Sequence, residues 1–169
     1  MVTPQNGVPS QNPDSYQFRL QELLIRIATR FINLPLEAVE EAISTSLGEL
    51  AEFVEADRTY IFTYDFSRNT TSNTHEWCAS GIRPQIADLQ NLSLDQFSHW
   101  NVEAHRRGDS IWVPDVSDLP EGTFRAVLQD GSVKSLFGVP MMNQSSTGGK
   151  PECLGFVGLD WVRDFHVST

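Results

Sequence analysis

The sequence predicts an α+β fold: a central antiparallel sheet of five to six strands, with N-terminal helices on one face and an irregular layer on the other. Three observations predict it. Apolar residues recur at helical spacing through two long stretches between residues 14 and 54. A β-branched and aromatic run, Thr59 to Tyr64, is followed by a turn and a second strand-like run, Thr71 to Cys78. A last pair of runs, Val133 to Met142 and Cys153 to Val162, is apolar at nearly every position, and strands apolar on both faces must be covered on both.

Taken in order, residues 1–13 read as a flexible leader and residues 14–169 as one domain. Asp14 is placed to cap the first helix, with Gln17 at capping-box spacing. Leu20, Leu24, Ile27 and Phe31 form its first apolar stripe. Phe18, Ile25 and Ile32 form a second row, so this helix has two faces to bury. One face suits its own domain and the other a partner subunit, which predicts a homodimer through the N-terminal helix.

Pro35 stands where proline tolerates a helix start. Leu36, Val39, Ile43, Leu47, Leu50 and Val54 then keep helical spacing, and Glu37, Glu40 and Glu41 place negative charge near the helix N-terminus, where the dipole favours it. Asp65 to Asn69 read as the turn of the first hairpin. Residues 81–92 form a mixed connection, 94–107 are weakly helical, and Ile111 to Val113 make a short strand stopped by Pro114. Gly122 to Gln129 predict another short helix, and the Ser, Gly and Pro of residues 143–151 a loop.

Composition narrows the function. Twenty-two acidic against twelve basic residues, a net charge of −10, argue against a nucleic-acid partner, whose phosphates repel such a surface. No apolar run approaches the ~18 residues of a membrane span. The polar start has neither the basic nor the apolar region of a signal peptide. Cys78 and Cys153 are too far apart for a dense disulfide framework or a zinc site. These features point to the cytoplasm, with no membrane partner.

Four segments in series carry a resemblance. They are Thr-His-Glu-Trp-Cys-Ala-Ser-Gly-Ile (74–82), Gly-Asp-Ser-Ile-Trp-Val-Pro-Asp-Val-Ser-Asp-Leu-Pro (108–120), Ser-Leu-Phe-Gly-Val-Pro-Met (135–141) and Leu-Gly-Phe-Val-Gly-Leu-Asp (154–160). Over residues 16 to about 165 the chain resembles the sensory GAF domains of bacterial multidomain histidine kinases and diguanylate cyclases. The resemblance implies a GAF/PAS-like sheet with a ligand cavity closed by the segment 79–132. It also implies a role in signal transduction, in a two-component system or beside a cyclase. Family members usually continue into a C-terminal helix that leads to an output domain. The chain ends at Thr169, so a piece of a longer signalling protein, lacking that helix and its output domain, is expected.

Aromatic residues with a few polar groups are the usual lining of a ligand pocket, and they equally fill a core. The residues expected at the cavity are Trp77, Phe97, Trp100, Trp112 and Phe124, with His75 as polar anchor and Arg125 for an anionic ligand. Strand alternation puts His75 and Trp77 on one face and Glu76 and Cys78 on the other, so only one pair can face a cavity.

Other chemistries lack their residues. Bilin attachment in phytochrome-like relatives uses a Cys followed by His, whereas Cys78 precedes Ala79 and Cys153 precedes Leu154. The Asn-Lys-Phe-Asp-Glu series associated with cyclic-nucleotide binding is not found, and methionine sulfoxide reduction needs closely cooperating cysteines. His75, His99, His105 and His166 show no metal-ligand spacing. Gly148-Gly149-Lys150 lacks the remainder of a phosphate loop, and no nucleophile elbow occurs. Asp115, Asp118 and Glu121 form an acidic patch in which Asp118 or Glu121 is expected to cap. No catalytic residue, metal or cofactor is therefore expected. The expectation is a sensory module that binds a small molecule or signals through its helices. A ligand-free dimerisation module and a methionine-sulfoxide-reductase-type enzyme are the alternatives.

Overall fold

The structure, a computed structural model, describes residues 13–96, 99–144 and 149–164. Two compact units divide the chain, Met1–Ala42 and Ile43–Thr169. The first contains helix α1, Pro13–Arg30, and a 3-10 turn, Leu36–Ala38. Tyr16, Phe18, Leu24, Ile25, Phe31 and Ile32 are exposed large hydrophobics of this unit. The leader before residue 13 and the side chain of Asp14 lie outside the described residues.

Helix α2, Val39–Val54, carries Glu40 and Glu41 in its first turn and runs on into the second unit. There the chain forms β1 (Arg58–Asp65), β2 (Thr70–Cys78), β3 (Leu92–Ser93), α3 (His99–Arg107), β4 (Ile111–Val113), α4 (Thr123–Asp130), β5 (Ser135–Asn143) and β6 (Glu152–Trp161). The six strands form one sheet in the order β3-β2-β1-β6-β5-β4, and every neighbouring pair is antiparallel. The terminal hairpin thus supplies a central strand, β6, which explains its apolar sequence. Pro140 does not interrupt β5; the irregularity falls between Met141 and Met142. The acidic patch caps through Asp115, which accepts from the Ser117 backbone N–H at 2.8 Å, rather than through Asp118 or Glu121.

Each face of the sheet has its own core. On one side Ala51 and Ala56, with Leu50 and Val54, pack on Leu159, Trp161, Trp77 and Phe137. The Thr59 hydroxyl donates to the Leu47 carbonyl at 3.0 Å and ties β1 to α2. Gly48 lets α2 come down on the sheet there, because a Cβ at that position would lie 2.8 Å from Trp77 Nε1. On the other side Ala104, Ile111, Val113, Val116, Leu128, Val133 and Leu136 form a second core beneath α3, α4 and the connections around them.

Candidate ligand-binding site

Between the second face of the sheet and its irregular cover lies a cavity of about 80 Å³. The floor follows from strand alternation: Arg58, Tyr60, Phe62 and Tyr64 from β1, and Phe156 and Asp160 from β6, all point into it. The cover supplies Gln85 and Leu89 from the connection, Asn101, Val102 and His105 from α3, and Phe124, Val127 and Leu128 from α4.

The lining divides into a polar end and an apolar end. At the polar end the Arg58 guanidinium is 2% exposed. It donates through Nη1 to Asp160 Oδ2 at 3.5 Å and to Gln85 Oε1, and through Nη2 to the Gly131 carbonyl at 3.3 Å, so it ties sheet to cover. Glu76 accepts the backbone N–H groups of Gln85 and Ile86 at 2.9 and 3.0 Å, and the Asn73 amide at 3.4 Å. The Tyr60 hydroxyl donates to Asp160 Oδ1 at 2.7 Å. Burial pushes the Asp160 carboxyl up to about 6, against the opposing pull of Arg58 and Tyr60. Burial also raises the Tyr60 phenol far above its ordinary value, so it stays a donor.

The apolar end is built on rings. Phe62 and Phe156 stack with planes 7° apart and centroids at 5.2 Å. His105 packs on Phe156 at 4.7 Å and makes a 2.8 Å hydrogen bond through Nδ1 with the Tyr64 hydroxyl. Burial lowers the imidazole to about 4, so it is neutral at pH 7.

Three residues of this lining carry a buried polar atom with no hydrogen-bond partner among the described residues: Arg58 Nε, Asn73 Oδ1 and His105 Nε2. These residues are 2%, 1% and 3% exposed. An unmatched buried donor or acceptor costs about 1–3 kcal/mol, so one cavity concentrates three such deficits.

The expected site residues divide. Phe124 lines the cavity. Trp77 and Trp112 do not: Trp77 packs on the α2 side, and Trp112 makes edge contacts with Phe137 and Trp161 on that same face. His75 shares the face of Trp77 and bonds to the Thr74 hydroxyl at 2.9 Å. Glu76 faces the cavity in its place. The Arg125 guanidinium donates to the Leu119 carbonyl at 2.9 Å and holds the loop before α4 rather than lining the cavity. Phe97 and the side chain of Trp100 lie outside the described residues.

The residues missed were Arg58, Tyr60, Asn73, Gln85, His105 and Asp160. One signal was available for the strand members: charged residues standing in otherwise apolar or β-branched runs.

Both thiols are free. Burial, then the Glu76 charge, raises Cys78 to about 11, and burial raises Cys153 as well. Neither has the thiolate character of a redox-active cysteine. Among the described residues, no three His, Cys, Asp or Glu side chains group to hold a metal ion, and no helix is long and apolar enough to cross a membrane.

Comparison with known proteins agrees with this architecture. The chain is 34% identical over 127 residues to the methanogenesis regulatory histidine kinase FilI of Methanothrix harundinacea, a match covering 72% of this chain and 13% of that kinase. The chain therefore spans about an eighth of the length of that relative. A phycoerythrobilin-bound GAF domain from a cyanobacterial phytochrome superposes with a TM-score of 0.69 at 18% identity, over 90% of this chain and 86% of the other. The blue-light-absorbing form of the PixJ GAF domain of Thermosynechococcus elongatus gives a TM-score of 0.61 at 22% identity, over 80% and 78%. The family model described as GAF domain matches residues 38–168. With the curled six-stranded sheet, the helix beneath it and the covered cavity above it, this match shows that the chain belongs to the GAF domain family.

Proposed function

We propose that this GAF domain is the non-catalytic sensor of a longer cytoplasmic signalling protein of the histidine kinase or diguanylate cyclase kind. It binds a compact small molecule in the cavity above the sheet. One observation carries the reading: Arg58, Asn73 and His105, from three separate elements, β1, β2 and α3, all line one cavity, and each carries a buried polar atom without a partner among the described residues. A core evolved only to be filled would pair or omit them. The cavity, about 80 Å³, is far below the ~300 Å³ at which pockets begin to enclose drug-sized ligands. It therefore favours a small occupant over a bilin such as the phycoerythrobilin bound by the cyanobacterial phytochrome domain above. Signalling follows if the ligand binds one arrangement of cover and sheet better than another. Arg58 is suited to that, because it joins β6 to the Gly131 carbonyl after α4.

The test is a thermal-shift screen of the chain against compact metabolites, repeated on Val127→Trp, which fills the cavity. Hits at ~100 times their dissociation constant add about 2.7 kcal/mol to the unaltered chain and nothing to the filled variant. Hits that persist in Val127→Trp would move the site elsewhere.

A second reading, a dimerisation module through the N-terminal helix, is supported by the exposed row Phe18, Ile25 and Ile32 at seven-residue spacing. The two readings are compatible, since a sensor joined through its helices can use both. A reductase reading is disfavoured by the raised thiols.

A further inference from the structure

The cavity offers room without offering polar partners. At ~10–15 Å³ of such space per water molecule, about 80 Å³ would take several waters, each needing about two to four polar contacts. The lining does not supply them, because its polar side chains are committed to one another. The Tyr60 hydroxyl and Arg58 Nη1 go to Asp160, Arg58 Nη2 to the Gly131 carbonyl, and Glu76 to the backbone N–H groups of Gln85 and Ile86. Tyr64 and His105 bond to each other. The Thr71 hydroxyl donates to the Thr63 carbonyl at 3.0 Å, and Asn101 Oδ1 accepts the Val102 backbone N–H at 2.9 Å.

The unmatched atoms do not alter this. Arg58 Nε, Asn73 Oδ1 and His105 Nε2 each have under 1 Å² of accessible surface, so they are closed off from an occupant. At His105 the cover is Gly138, where a Cβ would lie 3.4 Å from Nε2. What opens on the cavity is therefore mainly carbon. The Phe62 and Phe156 rings form its floor, with Tyr60 meeting them edge-on at 5.5 and 6.2 Å. Val102, Val127 and Leu128 face them from the cover.

A charged head finds no place in such a space. An anion would enter beside Glu76 and Asp160, whose counter-ion Arg58 is already shared between them. A cation would have to take a carboxylate from the donors that hold it. A neutral polar group would give up its hydrogen bonds to water and regain none.

Taking the cavity as the ligand site of the proposed sensor, we infer that its occupant is a compact apolar molecule, a branched or unsaturated hydrocarbon held by carbon contacts alone. Its entry displaces water that the walls hold poorly, which favours binding. Apolar cavities of about 150 Å³ take benzene or xenon by these means. At about 80 Å³ this one suits roughly half that bulk, about four or five carbons.

The test uses three probes of one planar, forked shape and different polarity: isobutene, acetone and acetate. Each is titrated into the full chain with ¹³C-labelled methyl groups, isobutene under pressure. Isobutene is expected to bind with a dissociation constant of a few millimolar, a reachable value for so few atoms. Acetone and acetate should bind at least fivefold more weakly, because their oxygens lose water without replacement. Isobutene protons should give nuclear Overhauser contacts to the methyls of Val102, Val127 and Leu128, a readout that needs no variant. Val127→Trp, checked for native melting, should abolish them.

Acetone or acetate binding as tightly as isobutene, with contacts to those methyls, would overturn the apolar class and leave the cavity as the site. Isobutene bound without contacts to them would overturn the inference too. So would the failure of all three probes to reach a cavity methyl. The screen of compact metabolites then judges the cavity separately: hits lost in Val127→Trp keep it as the ligand site, and a screen without hits removes that reading as well.

Discussion

The Tyr60 hydroxyl donates to Asp160 at 2.7 Å, and the phenol ring reaches that position because it lies over Gly158, its cross-strand partner in the β1–β6 register. A Cβ on Gly158 would run into the ring itself. Gly158→Ala is therefore expected to displace the ring and destabilise the domain by about 1–3 kcal/mol, the usual range for overpacking. Tyr60→Phe keeps the ring and removes the donor, at about 1.5–3 kcal/mol for a bond to a charged group. Urea unfolding of both variants measures this. A neutral Gly158→Ala would show that the ring is not held there.

Acid titration should separate two opposed contributions. His105, packed on Phe156 and bonded to Tyr64, is lowered to about 4, so between pH 6.5 and 4 the unfolded chain binds a proton that the fold refuses. Stability from this group falls as pH drops through that window. Asp160, faced by Arg58, Tyr60 and Glu76, is raised to about 6, so the unfolded chain ionises first. Stability from this group falls as pH rises from about 4 to 6. The two partly cancel in the unaltered protein. His105→Gln should remove one of them, so that its stability relative to the parent improves steadily from pH 6.5 down to 4. Parallel pH–stability curves for parent and variant would refute the assignment.

Asp57 fastens the end of β6. Its carboxylate accepts the backbone N–H groups of Val162 and Arg163 at 2.7 and 2.8 Å, and it pairs with the Arg163 guanidinium. Burial pushes this carboxyl up, but the hydrogen bonds and the Arg163 charge together outweigh it and hold it below the carboxylate range. A lowered value means stability that is present above the unfolded value and lost as pH falls through the folded one. Asp57→Ala is expected to cost about 2 kcal/mol at pH 7 and to narrow its deficit in acid. Amide exchange at Val162 and Arg163 should quicken in the variant. Unchanged exchange there would show the clamp to be idle.

The exposed row on the first unit predicts self-association. Sedimentation of the chain at tens of micromolar should report a dimer, and Phe18→Glu with Ile25→Glu a monomer. A parent chain that sediments as a clean monomer would remove the dimer reading.

Much of the fold was legible in the sequence because it rests on periodicity. The spacing of Ile43, Leu47, Leu50 and Val54 marked α2, and the β-branched run at Thr59 marked β1. The doubly apolar terminal runs implied a sheet covered on both faces, and β6 lies at its centre. These signals are local, so the sequence by itself determined the longer elements, their order and the α+β class, while the two-residue edge strand β3, Leu92–Ser93, fell in a stretch read as a mixed connection.

The orientation of β2 was a tertiary decision. Simple alternation continued from Asn73 would place His75 and Trp77 on the cavity face with it. In the β1–β2 ladder Ile61 pairs with His75 and Phe62 with Asn73, so Thr74 is an extra residue. That bulge reverses the alternation: Asn73 and Glu76 share the cavity, and Trp77 turns to Gly48 on α2. A bulge arises from pairing with a partner strand, and no local pattern in residues 70–78 announces it. The same holds for the polar cluster. Arg58, Glu76, Gln85 and Asp160 are dispersed along the chain, and only the β1–β6 register and the closing of the cover bring one cation, two carboxylates and their unmatched neighbours into a single buried space.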